Sequence, residues 1–295
     1  MSKELLLVMN PVAGTKSANK FLVKIVSLFS ERDFACQVQM TSESTNAEKI
    51  VLQYGAEKDL IVCIGGDGTF NEVVSGCLKS KIHPMIGYIP TGSTNDFAVG
   101  MNILLDPIKA VNNILRFKPI TIDVGLFNGR AFAYTACFGA FTKASYNTSR
   151  ELKNSLGYFA YILEGAKEIS DIKSFHIQME SEHRCLEGKF IFGAVCNSKR
   201  LGGGLIHFSN NQVDMNDGLF EVLLVRQPKN LSEFMQIVFG LNTEKYDGPM
   251  FEFFSTDKLT VLSDGDVDWT IDGEHQKGDA LVEIKNIQSA VSLLA

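Results

Sequence analysis

DLIVCIGGDGTFNEVVSG, residues 59–76, is the stretch of sequence that decides the fold around it. The apolar, β-branched run from Leu60 to Ile64 predicts a buried strand, and the two glycines after it predict a tight turn. Apolar side chains then return at helical spacing between Thr69 and Val74, which predicts a helix. A strand, a turn and a helix in this order leave unpaired N–H groups and the positive end of a helix dipole at the turn, so we expect it to bind a phosphate.

Asp67 lies in the middle of this predicted phosphate-binding turn. Its carboxylate would repel a bound phosphate, so we expect a cation between the two groups. Magnesium that bridges a carboxylate and a phosphate, directly or through its waters, is the usual solution in phosphoryl transfer. The alternative is an ordinary strand-to-helix turn in which Asp67 caps the helix, and the Gly-Gly-Asp-Gly string alone does not decide between the two.

The length and composition are those of a folded protein with one large domain or, as we favour, two medium domains. The chain has 295 residues, which is ample for a hydrophobic core in each domain. Apolar residues make up 45% of the chain and charged residues 21%, as in ordinary globular proteins. The net charge of −6 argues against a nucleic-acid partner, for which a basic face is expected.

We expect a cytoplasmic protein without a membrane span. The apolar run within residues 1–11 is too short for the core of a signal peptide. The uncharged stretches, including Ala131 to Thr142, are all shorter than the ~18 residues that a spanning helix needs. The six cysteines show no paired spacing and lie mostly in apolar runs, which favours free thiols in a reducing compartment.

Strands alternate with helices in the first part of the chain. This alternation predicts a parallel, doubly wound α/β sheet, whose ligands lie beyond the carboxyl ends of its strands. Polar loops follow three of the predicted strands, so we expect these loops to converge at one crevice. They lie at residues 10–14, 65–68 and 90–97.

From about residue 118 the pattern changes to strands that are joined mostly by turns, which predicts an antiparallel β-sandwich. Helices are predicted only around Tyr158–Ile169 and Leu231–Phe239. The predicted domains are therefore residues 1–122 and 123–287, and residues 288–295 are a candidate to pack back on the first domain. The predicted strands are Lys118–Phe127, Arg130–Phe138, Ser174–Glu180, Lys189–Cys196, Leu219–Val225, Phe251–Val261, Val267–Asp272 and Ala280–Lys285.

Six short segments together resemble the diacylglycerol kinase catalytic family, specifically its soluble bacterial lipid kinases. The resemblance implies an α/β ATP-binding domain, like that of NAD kinase and phosphofructokinase, followed by an antiparallel β-sandwich. It also implies an activity, the transfer of the ATP γ-phosphate to a lipid hydroxyl, with diacylglycerol converted to phosphatidic acid. The segments are NPVAG (10–14), GGDGTFNEVVSG (65–76), PTGSTNDFA (90–98), GGG (202–204), NDG (216–218) and DGE (272–274).

The resemblance also implies an ATP site and a catalytic magnesium. Asp67 and Asp96 would hold the magnesium through water, which answers the repulsion between Asp67 and a phosphate. Ser93 stands where the family often has threonine, and either hydroxyl can donate to a phosphate. The residues that would hold ATP are Asn10, Pro11, Val12, Ala13, Gly14, Thr41, Gly66, Asp67, Gly68, Thr69, Phe70, Asn71, Glu72 and Ser93.

Glu274 matches the general base of the family. A primary alcohol is a poor nucleophile, so a carboxylate that accepts its proton typically accelerates the reaction ~10²- to 10⁴-fold. The alternative is the tip of a type I′ Asp-Gly hairpin with Glu274 facing solvent. Glu274 lies in the second predicted domain, whereas the ATP-binding residues lie in the first. If Glu274 is the general base, catalysis would therefore require both domains.

A second magnesium in the family corresponds here to the loop Val213–Leu219. Asp214 and Asp217 would supply carboxylates and Leu219 its backbone carbonyl, which are suitable ligands for a hard cation. The alternative is a surface Asn-Asp-Gly turn. Residues 208–210 are Phe-Ser-Asn where relatives tend to have an Ala-Pro pair, and this difference concerns the shape of the loop more than its ligands.

Two other functions stay open at this point. One is a soluble-substrate kinase of the NAD kinase type, since that family shares the GGDGT loop, and the other is a non-catalytic nucleotide or lipid sensor. The acceptor is not identified either, because phosphatidylglycerol, undecaprenol, ceramide and a sphingoid base also suit the motifs.

The expected partner is a membrane lipid that the protein reaches by peripheral contact. A group of basic side chains in the second domain would either form a solvated face or meet anionic head groups. Oligomeric state, including a homodimer, is left open. The basic residues are Lys143, Arg150, Lys153, Lys199 and Arg200.

Overall fold

The structure is a computed structural model that describes residues 2–14, 18–140, 169–201, 206–208, 213–265 and 267–294. The chain forms two units. Unit 1 comprises the residues up to Val124 together with those from Ile287 onward, and unit 2 is Gly125–Asn286. The sequence placed this division at about residue 122.

The strands and helices have the following bounds. The strands are β1 Lys3–Met9, β2 Phe34–Met40, β3 Leu60–Gly65, β4 Met85–Pro90, β5 Pro119–Phe127, β6 Arg130–Phe132, β7 Thr135–Gly139, β8 Phe175–Ser181, β9 Cys185–Cys196, β10 Arg200–Leu201, β11 Ile206–His207, β12 Phe220–Arg226, β13 Phe251–Thr256, β14 Lys258–Ser263, β15 Trp269–Ile271, β16 Glu274–Gln276 and β17 Leu281–Leu294. The helices are α1 Ala18–Ser30, α2 Ala47–Tyr54, α3 Asp67–Ser80, α4 Asp96–Gly100, α5 Pro107–Ile114 and α6 Leu231–Thr243, with a 3-10 turn at Ile169–Asp171.

Unit 1 is a doubly wound parallel sheet. Its strands follow the order β2-β1-β3-β4-β17, and each neighbouring pair is parallel. Leu5, Leu7 and Met9 of β1 pack with α1 and α5 in one core cluster. Leu6 and Val8 are also fully buried and point to the opposite face, where α2 contacts β1 and α3 contacts β3. The strands are apolar on both faces because helices cover both.

The helices of unit 1 begin in two different ways. Asn46 and Asp106 cap α2 and α5, since their side chains accept N–H bonds from Lys49 and Lys109. Helix α3 is instead preceded by Gly66, which has no side chain that could cap the first N–H groups. Its first turn is therefore the N-terminus suited to an external anion.

Unit 2 is an antiparallel sandwich in which β9 is the central strand. The first half of β9 pairs with β8 and its second half with β7, both along one edge, while β12 pairs along the other edge. Alternate residues of β12 belong to two different cores. Val222 and Leu224 lie in the cluster between the strands, whereas Leu223 and Val225 pack with α6.

Arg130–Phe138 was predicted as one strand, and this prediction was wrong. The structure has two strands, β6 and β7, separated at Ala133 and Tyr134. The N–H groups of these two residues donate to the Asp272 carboxylate, at 2.6 and 3.0 Å, instead of to a strand. The break arises from a partner 138 or more residues away, which local apolar pattern does not reveal.

Phe251–Val261 was also wrongly predicted as one strand. The chain changes partners at Asp257, because β13 pairs with β12 whereas β14 pairs with β8 and β17. The Thr256 hydroxyl donates to the carbonyl of Lys258 at 2.8 Å, which stabilises the bend between the strands.

Strand β17 is longer than predicted. Leu281–Lys285 pair antiparallel with β14, and Ser292–Leu294 pair in parallel with β4. The apolar end of the chain is thus a strand of the unit 1 sheet up to Leu294.

Several predictions fall outside the described residues. They include the helix predicted at Tyr158–Ile169, except for Ile169, and the GGG segment at 202–204. They also include residues 209–210 of the Phe-Ser-Asn segment that differs from the relatives. Of the basic group, Lys143, Arg150 and Lys153 lie outside the described residues too. Among the helices of the described residues, none is long and apolar enough to cross a bilayer.

We expect Asp272→Ala to destabilise unit 2 strongly. The buried Asp272 carboxylate accepts N–H bonds from Ala133, Tyr134 and Thr135, and each orphaned buried donor costs about 1–3 kcal/mol. A loss of about 3 kcal/mol or more in the free energy of unfolding is expected in urea denaturation.

Asp268→Ala is the matched control, because that carboxylate is exposed and pairs with His275 on the same hairpin. Its free energy of unfolding should change by about 0.5 kcal/mol or less. Equal losses in the two variants would contradict the structural role of Asp272.

Candidate active site

Three loops meet at the carboxyl ends of β1, β3 and β4, and glycines allow them to touch. A Cβ atom on Gly14, whose φ is +51°, would collide with the carbonyl oxygen of Thr91. A Cβ atom on Gly92 would lie 2.6 Å from the Cα atom of Gly66. The main chains of the three loops therefore lie in direct contact, and side chains at these positions would separate them.

Asn10 connects the first loop to the second. Its N–H donates to the carbonyl of Ile64 at 2.9 Å, and its Nδ2 donates to Thr69 Oγ1 at 3.3 Å. Its Oδ1 accepts the N–H of Val12 at 3.1 Å, which folds the loop back on itself. This predicted ATP-binding residue thus fixes the position of the loop that would surround the nucleotide.

The third loop is joined to the second and is shaped by Asn95. The N–H of Thr91 donates to the carbonyl of Gly65 at 2.7 Å. Asn95 has a φ of +51°, and its side chain both accepts the N–H of Gly92 at 2.9 Å and donates to the carbonyl of that residue at 3.0 Å. The role of Asn95 was not predicted, although asparagine is enriched at such positive-φ turn positions.

Asp67 and Asp96, the two predicted magnesium residues, are neighbours in space. Asp67 is the first residue of α3 and only 9% exposed, and its Oδ2 accepts the N–H of Asp96 at 2.8 Å. The Tyr88 hydroxyl donates to Asp67 Oδ1 at 3.4 Å. Burial, and secondarily the charge of Asp67, raises the pKa of Tyr88 well above its usual value, so Tyr88 stays neutral.

Phe70, Asn71 and Glu72 direct their side chains into unit 1. Phe70 is fully buried and stacks against Phe97 with ring centroids 4.6 Å apart, so only its main chain is available to a ligand. Asn71 accepts a hydrogen bond from Ser75, and Glu72 accepts the N–H of Ala47 at the start of α2. These contacts hold α3 in place, and an ATP-binding role for the three residues stays a prediction.

The remaining predicted ATP-binding residues line the loops with differing exposure. Val12 and Ser93 are exposed, Gly14 is exposed as well, and Ala13 and Thr69 are buried. The others are half-buried: Asn10, Pro11, Thr41, Gly66 and Gly68.

Glu274 begins β16 directly after a tight turn. Asp272 and Gly273 both have positive φ, +46° and +86°, which is the pattern of the type I′ hairpin considered as the alternative. The Glu274 side chain is 53% exposed, and its Oε2 accepts a hydrogen bond from Arg130 Nη2 at 2.9 Å. Arg130 also donates to Gln276 at 2.7 Å. The hairpin and an accessible, oriented carboxylate therefore occur together.

The predicted second metal loop forms turns around its own carboxylates. Asp214 accepts the N–H of Asn216 at 3.2 Å, and Asp217 accepts the N–H of Leu219 at 2.9 Å. The carbonyl of Leu219 accepts a hydrogen bond from Asn286 at 3.1 Å. Within the described ranges, no group of three or more His, Cys, Asp or Glu side chains is arranged to hold a metal. A cation at this loop stays a prediction.

Glu221 is a buried carboxyl near this loop that was not predicted. It is 1% exposed, and within the described part of the chain its Oε2 has no hydrogen-bond partner. Burial, and secondarily the charge of Asp217, raises the pKa of Glu221 to about 8. It occupies the α6-facing side of β12, and the sequence signal was a charged residue directly before the apolar run Val222–Val225.

Comparison with known proteins identifies this arrangement. Residues 4–127 match the family model for the diacylglycerol kinase catalytic domain. This segment, 124 of the 295 residues, matches a catalytic domain of the diacylglycerol kinase family. The match confirms the resemblance seen in the sequence, and together with the similar proteins it supports a lipid kinase.

Similar proteins extend over nearly the whole chain. The diacylglycerol kinase of Bacillus subtilis (strain 168) is 28% identical over 276 residues, which cover 91% of this chain and 89% of the relative. The diacylglycerol kinase of Staphylococcus carnosus (strain TM300) is 27% identical over a match that covers 93% of this chain and 90% of the relative. A crystal structure of a presumed diacylglycerol kinase from Bacillus anthracis str. Sterne has a TM-score of 0.80 at 22% identity, covering 99% of this chain and 95% of that one. This likeness confirms the predicted fold class.

We expect Gly92→Ala to damage the predicted ATP site. The new Cβ would lie 2.6 Å from Gly66 Cα and 2.7 Å from Asn95 Oδ1, so two loops must separate. Overpacking of this kind costs about 1–3 kcal/mol, which corresponds to a roughly 5- to 150-fold loss of ATP affinity when the bound state carries the whole cost. Calorimetric titration with ATP measures the affinity, and the midpoint of thermal unfolding measures the loss of stability.

Gly265→Ala is the control, because no atom of the described residues lies within 4 Å of its added Cβ. It should leave both quantities near the values of the unsubstituted protein. The same result for Gly92→Ala would show that the loops do not depend on their close approach.

Proposed function

We propose that this lipid kinase uses ATP and magnesium and that its acceptor is diacylglycerol, which becomes phosphatidic acid. The observation that carries the proposal is the meeting of three glycine-containing loops beside the adjacent Asp67 and Asp96. The choice of acceptor rests on the names of the similar proteins from Bacillus and Staphylococcus.

The loops of unit 1 suit the phosphates of a nucleotide. The close contacts at Gly14, Gly66 and Gly92 hold the three loops together, so that backbone N–H groups from all of them can face one phosphate chain. The first turn of α3, a helix of 14 residues, adds uncapped N–H donors and a dipole of the right sign. Ser93, exposed in the third loop, supplies a hydroxyl donor.

The carboxylates of Asp67 and Asp96 fit a magnesium ion, because hard cations prefer oxygen ligands. Asp67 is held by the N–H of Asp96 and the hydroxyl of Tyr88, so its position is fixed before any cation binds. Bound magnesium would neutralise the charge of the transferred phosphate.

Glu274 of unit 2 acts as the general base in this proposal. It accepts the proton of the acceptor hydroxyl as that oxygen bonds to the γ-phosphorus and ADP leaves. Arg130 orients the carboxylate, and the buried Asp272 fixes the hairpin that presents it. Since diacylglycerol resides in a bilayer, the proposal also includes peripheral contact with the cytoplasmic side of a membrane.

ATP turnover with a panel of acceptors tests the proposal. The assay compares micelles that contain diacylglycerol, phosphatidylglycerol, undecaprenol, ceramide or sphingosine with empty micelles and with NAD. We expect magnesium-dependent ADP release with diacylglycerol, abolished by a chelator. Turnover with another lipid would replace the acceptor, turnover with NAD alone would indicate a soluble-substrate kinase, and ATP binding without turnover would favour a sensor.

We expect Glu274→Gln to lower turnover by ~10²-fold or more while ATP affinity stays unchanged, because the amide cannot accept the hydroxyl proton. The measurements are kcat with the best acceptor and the Kd of ATP. Glu182→Gln, another exposed glutamate of unit 2, is the control and should retain full turnover. An unaffected kcat in Glu274→Gln would remove this residue from the mechanism.

A further inference from the structure

Helix α6 exposes a stripe of large apolar side chains. Leu231, Met235 and Phe239 are 61%, 52% and 64% exposed, and their spacing of four residues places them along one side of the helix. Within the described part of unit 2, the other large apolar side chains with comparable exposure are Leu262 and Leu281, on β14 and β17. The α6 stripe is therefore a cluster and not scattered surface residues.

The opposite side of α6 is buried as well as apolar. Phe234, Ile237, Val238 and Leu241 belong to the core cluster that lies against β12. A surface helix needs one apolar face to pack on its domain, and polar residues normally occupy the other. The folding of unit 2 explains the first face of α6 but not the second.

A pocket of about 540 Å³ opens beside the exposed stripe. It lies between α6 and the segment 245–251, and its lining includes Met235, Phe239, Met250 and Phe251. Gly240 allows this packing, because a Cβ atom there would collide with the ring of Phe251. The stripe and the pocket together form one continuous apolar surface, which we call the α6 patch.

We propose that the α6 patch is the surface by which the kinase inserts into the acyl region of a lipid bilayer. This inference rests on the proposed function, because a kinase that phosphorylates diacylglycerol must reach a substrate embedded in a membrane. Amphipathic helices that lie in the interface plane bury large apolar residues below the head groups. Thirteen residues give α6 a length of about 20 Å, so the whole stripe can lie flat on the bilayer.

The charges around the patch indicate the kind of membrane contact. Lys245 and Asp247 both line the pocket, and Lys229 and Glu244 flank the two ends of the helix. Glu233 lies on the helix itself, so two lysines are set against three carboxylates and the patch has no net attraction for anionic head groups. Binding should depend on apolar burial and respond little to salt or to the charge of the lipid.

The alternative to a bilayer contact is that the α6 patch is an interface between two copies of the chain. A stable interface buries about 800 Å² on each partner. Three side chains that are 52–64% exposed provide far less than this area. A fluid bilayer needs no complementary surface and suits a narrow stripe beside an open pocket.

Vesicle sedimentation tests the inference. The triple variant Leu231→Ser/Met235→Ser/Phe239→Ser should bind phosphatidylcholine vesicles that contain diacylglycerol at least about tenfold more weakly than the unsubstituted chain. Phe239→Ser alone should have a smaller effect in the same direction. The double variant Leu262→Ser/Leu281→Ser removes exposed apolar residues elsewhere in unit 2 and should bind normally. Circular dichroism and thermal melting verify that each variant is folded.

Turnover on a water-soluble short-chain diacylglycerol separates this inference from the proposed function. The triple variant should retain turnover on the soluble acceptor and lose it on vesicles. Absence of turnover by the unsubstituted chain on every acceptor would refute the proposed function, while vesicle binding would still report on the patch. Unchanged vesicle binding by the triple variant would overturn the inference. So would a dimer of the unsubstituted chain that the triple variant converts to monomers without losing vesicle binding.

Discussion

The fold of unit 1 depends on main chain touching main chain where its three loops meet. Gly14, Gly66 and Gly92 allow a separation that a single methyl group would prevent. Because the loops follow neighbouring parallel strands, this contact fixes the carboxyl ends of β1, β3 and β4 relative to one another. The adjacent carboxylates of Asp67 and Asp96 are a result of the same contact, since the N-termini of α3 and α4 can then come together.

Buried carboxylates that accept backbone N–H groups recur in both units. Asp67 accepts from Asp96, Asp123 accepts from Ser289 at 2.7 Å, and Asp272 accepts from three successive residues. Each joins segments that are distant in sequence, and each replaces the water that its charge would otherwise require. Glu221 is different, because burial raises its pKa to about 8 and leaves it protonated near neutral pH.

Local sequence pattern predicted the parts of the structure that depend on neighbouring residues. The strand, glycine turn and helix around Asp67 follow from apolar spacing and from the conformational freedom of glycine. The strand breaks at Ala133 and Asp257 could not be predicted, because they follow from hydrogen bonds and strand partners far along the chain. The same holds for Tyr88, whose partner Asp67 is 21 residues away. Asn95 is different, because it bonds to Gly92 three residues earlier and its turn position is a local signal. The resemblance supplied candidate roles for Glu274 and the ATP-binding residues, and chemistry alone would have left these open.

The path of β17 affects how the protein folds during its synthesis on the ribosome. Ser292–Leu294 follow unit 2 in the sequence, and they complete a parallel sheet whose strand β1 precedes unit 2. Until Ser292–Leu294 emerge, the outer edge of β4 has unpaired N–H and carbonyl groups, which invite pairing with other chains. The unit 1 sheet can therefore be completed only after the whole of unit 2 has been translated. Until then the nascent chain depends on protection from aggregation.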